Sequence, residues 1–117
     1  MHQFKELLIW KKSRLFCVQI YSATSTFPND EKFGIVNQLR RASVSIPSNI
    51  AEGSSRSSNK DFSRFLEVAI GSAYEIETQL TISCDLGFLN IEKLEFLTKQ
   101  LEEIVKMISK FRSTLKI

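Results

Sequence analysis

Leu94, Leu97, Leu101, Ile104, Ile108, Phe111 and Leu115 follow one another at steps of three and four residues. Phe62, Leu66, Ala69, Ala73, Ile76 and Leu80 do the same earlier in the chain, as do Ile35, Leu39, Ala42, Ile46 and Ile50. Such spacing lays a single apolar seam along a helix, which is what packing in a bundle requires. The first segment is broader. Phe4, Leu8, Leu15 and Val18 form one line, and Leu7, Trp10, Cys17 and Tyr21 form a second beside it. A helix apolar over that much of its surface is expected to touch more than its own bundle.

Three breaks separate the seams. "STFPND" interrupts the chain at Pro28, and Asn29 or Asp30 is suited to cap the helix that follows. In "EGSSRSSNKD", Gly53 suits a left-handed position past a helix end, and Ser58 with Asp61 resembles a capping box. In "DLGFLN", Gly87 ends the third helix and Asn90 caps the fourth. The connections are short, so consecutive helices should be antiparallel neighbours. The pattern predicts an all-α, antiparallel, up-down-up-down four-helix bundle, with residues 1–117 as one domain.

Composition narrows the reading. Four glycines and two prolines are too few for a sandwich or barrel with a turn every ten residues or so. There is no apolar run long enough to span a membrane, and the N-terminal segment carries charges where a signal peptide would be apolar. Cys17 and Cys84 fit no paired motif and read as buried thiols of a cytoplasmic protein. Di-metal bundles need inward Glu-x-x-His pairs, whereas the one histidine here is His2. Glu75 and Glu77, two apart on one helix, point in different directions and read as surface carboxylates. With no phosphate loop, no nucleophile elbow and no base beside the serines, neither an enzyme, a metal nor a cofactor is expected. Charge is uneven: residues 1–60 hold nine Lys or Arg against four Asp or Glu, and residues 61–117 hold seven against nine. A basic first half is suited to an anionic partner.

The stretch "QLRRASVSIPSNIAEG", Gln38 to Gly53, departs from a plain helix. Pro47 removes one backbone hydrogen bond, and Asn49 places a polar group in the apolar stripe, where it must be bonded. Arg41, Ser45, Ser48 and Glu52 share a polar face. Two readings stand. In the first, Pro47 bends the helix, the serines permit close approach, and Asn49 with Glu52 pins a loop or a subunit partner. In the second, Arg40, Arg41 and the serines form a ligand surface. Arg56, Lys60 and Arg64 make another basic element at a helix start, where free N–H groups favour anions. It lies about 18 Å along the helix from Arg41, at 1.5 Å per residue.

The Trp10-Lys11-Lys12 start, Gln38-Leu39-Arg40-Arg41-Ala42, the run from Ser45 through Pro47 and Asn49 to Gly53, Arg64-Phe65-Leu66 and Gly71-Ser72 occur in order. With these the chain resembles the four-helix-bundle proteins encoded in intervening sequences of bacterial 23S ribosomal RNA genes. The resemblance implies a small cytoplasmic bacterial protein that assembles into a ring, typically a homopentamer. It also implies kinship with the accessory variability determinant of diversity-generating retroelements, a more basic pentamer that works beside a reverse transcriptase and RNA. A ring would use a head-to-tail interface, for which the wide first helix and the small-residue second helix are candidate surfaces. Trp10, Ser45, Pro47, Ser48, Asn49, Glu52 and Gly53 are then packing or interface residues. The expected function is RNA or ribonucleoprotein binding through Arg40, Arg41, Arg56, Lys60 and Arg64, with Lys11, Lys12 and Arg14 in reserve. The alternative is a protein-interaction scaffold accessory to a nucleic-acid enzyme such as a reverse transcriptase, without RNA contact.

Overall fold

The computed structural model describes residues 2–117. Among them four helices carry the fold: α1 (Leu8–Thr24), α2 (Ile35–Ser54), α3 (Asn59–Asp85) and α4 (Ile91–Ser113). Short 3₁₀ turns occupy Phe4–Glu6 and Asn29–Glu31, and no described residue is in a strand. Each helix packs on its chain neighbour, and α1 closes the set against α4. Among the described residues the diagonal pairs, α1 with α3 and α2 with α4, make no close backbone contact. The helices therefore stand at the corners of a square. Across the α2–α3 seam Gln38 meets Gln79 and Ser45 meets Ser72, so numbers rise on one helix as they fall on the other.

The helix ends follow from side-chain chemistry. Ser58 Oγ accepts from the Asp61 N–H at 3.2 Å, and Asn90 Oδ1 accepts from the Lys93 N–H at 2.8 Å. Each satisfies one of the first-turn donors left free by helix geometry. α3 ends at Gly87, whose φ of +81° is open to glycine at little steric cost. There the Phe88 and Gly87 N–H groups return to the carbonyls of Ser83 and Cys84, at 2.9 and 3.0 Å, in a Schellman arrangement.

Two expected ends differ. α2 is capped by neither Asn29 nor Asp30 and begins at Ile35, with Gly34 as a cap that offers no side chain. The intervening residues form a 3₁₀ turn following Phe27, which is buried and lies 5.6 Å from the Phe88 ring. Plugging the bundle end with Phe27 takes the chain length that early capping would have shortened. Gly53 is not left-handed either; it lies inside α2, which runs to Ser54. A Cβ there would stand 2.7 Å from Phe65 Cβ and 2.8 Å from Phe62 Cδ1. Gly53 serves close approach of α3, not chain reversal.

The seams of α2, α3 and α4 are buried as their spacing predicts. Leu39, Ile46, Ile50, Leu66, Ile76, Leu80, Leu97 and Ile108 are all sealed from solvent. α1 is the exception. Its buried line is Ile9, Ser13, Phe16, Ile20 and Ala23, while Leu8, Leu15 and Val18 stand outside, 57–64% exposed. Both lines repeat at helical spacing, and the serine in the inner one makes it look the less apolar of the two. Cys17 and Cys84 are free and only half buried; the Ser43 hydroxyl lies 3.4 Å from Cys17 Sγ.

Candidate nucleic-acid interface

Pro47 sits in an unbroken α2, and the polar residues around it are engaged within the subunit. Asn49 Nδ2 donates to the Ser45 carbonyl at 2.8 Å and to Ser45 Oγ at 2.9 Å, and that hydroxyl lies 2.9 Å from Ser72 Oγ on α3. A polar group in the seam is thereby satisfied, as its half-buried position demands. Glu52 accepts from Arg56 Nη2 at 3.3 Å, tying the end of α2 to the loop beyond it. Ser48 is exposed, and Trp10 is half buried with its ring edge-on to Phe4 at 5.2 Å. Ser45 and Gly53 thus serve the contact with α3 inside one chain, whereas Ser43 faces Cys17 of α1.

Arg40 and Arg41, adjacent in sequence, part company. Arg40 Nε donates to Thr24 Oγ1 at 3.0 Å and its Nη2 to the Tyr21 carbonyl at 3.4 Å, with the guanidinium 4.6 Å from the Tyr21 ring centre. It closes the last turn of α1, where carbonyls lack partners and a cation is favoured. Arg41 is exposed on the other side of α2, in a depression of about 420 Å³ that also holds Gln38, Ser45, Ser72 and Glu75. Glu75 there opposes an anion. The two arginines do not form one phosphate surface.

The remaining candidates gather elsewhere. The start of α1, the end of α2, the start of α3 and the end of α4 meet at one end of a molecule 44 Å long. His2 packs between the rings of Phe62 and Phe111, at 5.1 and 5.6 Å. Asn59 Nδ2 donates to the Lys116 carbonyl at 3.1 Å, and Arg112 Nε donates to Ser63 Oγ at 2.7 Å while its Nη2 pairs with Glu67. Residues 2–14, 51–67 and 106–117, which build this end, hold eleven Lys or Arg against four Asp or Glu. All other residues hold five against nine. Charge divides along the long axis, +7 at one end and −4 over the rest, and not between the halves of the chain.

Six of the eight expected cations stand on this basic end: Lys11, Lys12, Arg14, Arg56, Lys60 and Arg64. Arg14 lies over the Trp10 ring at 5.0 Å and Arg56 over the Phe65 ring at 4.8 Å, which holds both guanidinium planes in place. Lys60 and Arg64 are exposed on the first turns of α3, with no ion pair among the described residues. Ser58 occupies one free N–H at that helix start, and the Asp61 carboxylate stands in the same turn, so the cations and not the helix dipole would attract a phosphate. Sequence reasoning missed Lys5, Lys106, Lys110, Arg112 and Lys116. They lie in an acidic-looking half or at the chain start, and only the return of α4 brings them to the others.

Among the described residues no helix is long and apolar enough to cross a membrane, and no group of three or more His, Cys, Asp or Glu is placed to hold a metal ion. No curated protein matches the chain. The family model of the 23S rRNA-intervening sequence protein matches residues 5–110. Among solved structures, the chain is similar to a protein with unknown function from the S23 ribosomal protein family of Bacteroides thetaiotaomicron VPI-5482. The two share 28% identity over 92% of this chain and 96% of that one, with a TM-score of 0.84.

Proposed function

The chain belongs to the 23S rRNA-intervening sequence protein family, and from that premise we propose that it is a non-enzymatic, ring-forming bundle that binds RNA or a ribonucleoprotein through its basic end. Five subunits and a cytoplasmic setting are what the family resemblance implies. The observation that carries the reading is the separation of charge, with eleven cations against four anions at one end. An excess of that size, most of it on exposed side chains, suits a polyanion more than a small ligand. Repetition around a ring multiplies a modest site, since one bound strand raises the effective concentration of the next contact.

The contact residues are Lys60 and Arg64 on α3, Arg56 in the loop before it, and Lys110 and Lys116 at the end of α4. Arg40 is left out of this set because its hydrogen bonds to Thr24 and Tyr21 hold it against the end of α1. Arg41 contributes at most one contact, far from the others. The test is RNA binding by the assembled protein across a salt series. Changing Lys60, Arg64 and Lys110 together to Ala should weaken binding on the order of tenfold or more and lower the salt slope by about two, because each phosphate contact releases counterions. Arg41→Ala should leave both nearly unchanged. Binding indifferent to salt, or lost with Arg41 and kept without the other three, would overturn the assignment. An intact oligomer without RNA affinity that retains a protein partner after nuclease treatment would favour the scaffold reading.

A further inference from the structure

Two exposed stripes on this chain have the spacing of buried seams. On α1, Leu8, Lys11, Leu15, Val18 and Ser22 step by three and four along the outside of the helix. On α3, Val68, Gly71, Glu75, Thr78 and Ile82 do the same. All ten residues are exposed, with Val18 at 64% and Val68 at 51%. Three- and four-residue alternation is how a helix presents a seam to a partner helix. Each of these helices already has a different, fully buried seam inside the bundle.

Three observations point to what covers them. The first is charge: α1 carries Lys11, Lys12 and Arg14 and no carboxylate, whereas α3 from Phe65 to Asp85 carries Glu67, Glu75, Glu77 and Asp85 and no Lys or Arg. Lys11 stands within one stripe and Glu75 at the centre of the other. The second is Gly71. Glycine is the worst helix former after proline, and a Cβ at this position would meet nothing within 4 Å. Nothing in its own chain requires it, but a helix of another chain approaching α3 would. The third is placement: α1 and α3 are diagonal in the square, so the stripes lie on opposed sides of the subunit.

We infer that the α1 stripe of one subunit docks on the α3 stripe of a second copy of the same chain, head to tail, with Lys11 drawn to the partner's acidic face. The opposed placement favours this heterologous contact, because each subunit keeps one face of each kind free for the next. Ser22, which ends the α1 stripe, lines the groove between α1 and α4, so the stripe is turned toward α4. This inference rests on the oligomeric part of the proposed function and is independent of its RNA part. It takes Lys11 out of the nucleic-acid surface and puts it into the subunit contact.

The experiment uses two single variants of the whole chain, Leu15→Glu and Gly71→Arg, both at exposed positions, with helicity checked by circular dichroism. Sedimentation should show each alone as a monomer, its self-association weakened on the order of thirtyfold or more, the scale of a central interface residue. An equal mixture should give a dimer and nothing larger, since only one sound face remains on each chain. In a second pair, Lys11→Glu and Glu75→Lys should each weaken assembly, and the two in one chain should restore it. Wild-type-like assembly of either Leu15→Glu or Gly71→Arg, or no dimer in their mixture, would overturn the interface while the oligomeric reading stood. A monomeric wild type at high concentration would overturn both, and salt-sensitive RNA binding by that monomer would leave the RNA reading intact.

Discussion

The two sides of α3 use the same kinds of residue to opposite effect. Facing α2, Ser72 meets Ser45, Gln79 donates to Gln38 and Glu75, and Phe62 and Phe65 press on the glycine of the neighbouring helix. Facing outward, Gly71 has empty space and Val68, Thr78 and Ile82 stand uncovered. A glycine is thus a demand for room at position 53 and an unanswered offer of room at position 71.

That contrast is open to attack from several directions. The largest effect belongs to the inner seam: Ile46→Ala should cost about 3 kcal/mol, because it empties a fully buried site in a well-packed contact. Urea unfolding in the monomeric Leu15→Glu background measures it, and a loss under 1 kcal/mol would mean the seam is loosely packed. Gly53→Ala should cost about 1–2 kcal/mol even though alanine favours helix, since the added methyl meets Phe62 and Phe65 at under 3 Å. Ser72→Ala should cost about 1 kcal/mol through the hydroxyl partner lost by Ser45, seen as a shift in the denaturation midpoint at constant slope. Gly71→Ala should do the reverse and stabilise the monomer by about 0.5–1 kcal/mol, the helix propensity gained where nothing is crowded. Equal signs for the two glycine variants would erase the difference between the faces.

Much of the fold was legible. The seam of α4 sits inside because charged residues flank it at every turn, and that of α3 because it holds the large apolar residues Phe62, Leu66, Ile76 and Leu80 where the competing line has only Val68 and Ile82. The caps at Ser58 and Asn90 and the stop at Gly87 were equally plain, each being a local geometry with few suitable residues. On α1 the buried line of Ile9, Ser13, Phe16, Ile20 and Ala23 is neither of the two lines that stand out in the sequence, because Ser13 and Ala23 dilute it and only the positions of α2 and α4 decide which line is inner. The candidate site was less legible. Arg40 and Arg41 look like a pair, but adjacent helical residues point about 100° apart, and one meets Tyr21 and Thr24 across the seam. The basic end escapes a count by chain halves because it is assembled from both chain termini and the α2–α3 connection.

The order of contacts around the square also bears on how fast the chain folds. Every adjacency but one joins helices consecutive in sequence, and the most extensive, α2 on α3, is closed by residues 55–58 alone. Short loops keep contact order low, and chains of that kind reach the native state in microseconds to milliseconds. The α2–α3 hairpin is the natural nucleus, whereas the sparse α1–α4 contact bears the longest loop-closure entropy. Mutations in the first pair should slow folding, and those in the second should mainly speed unfolding.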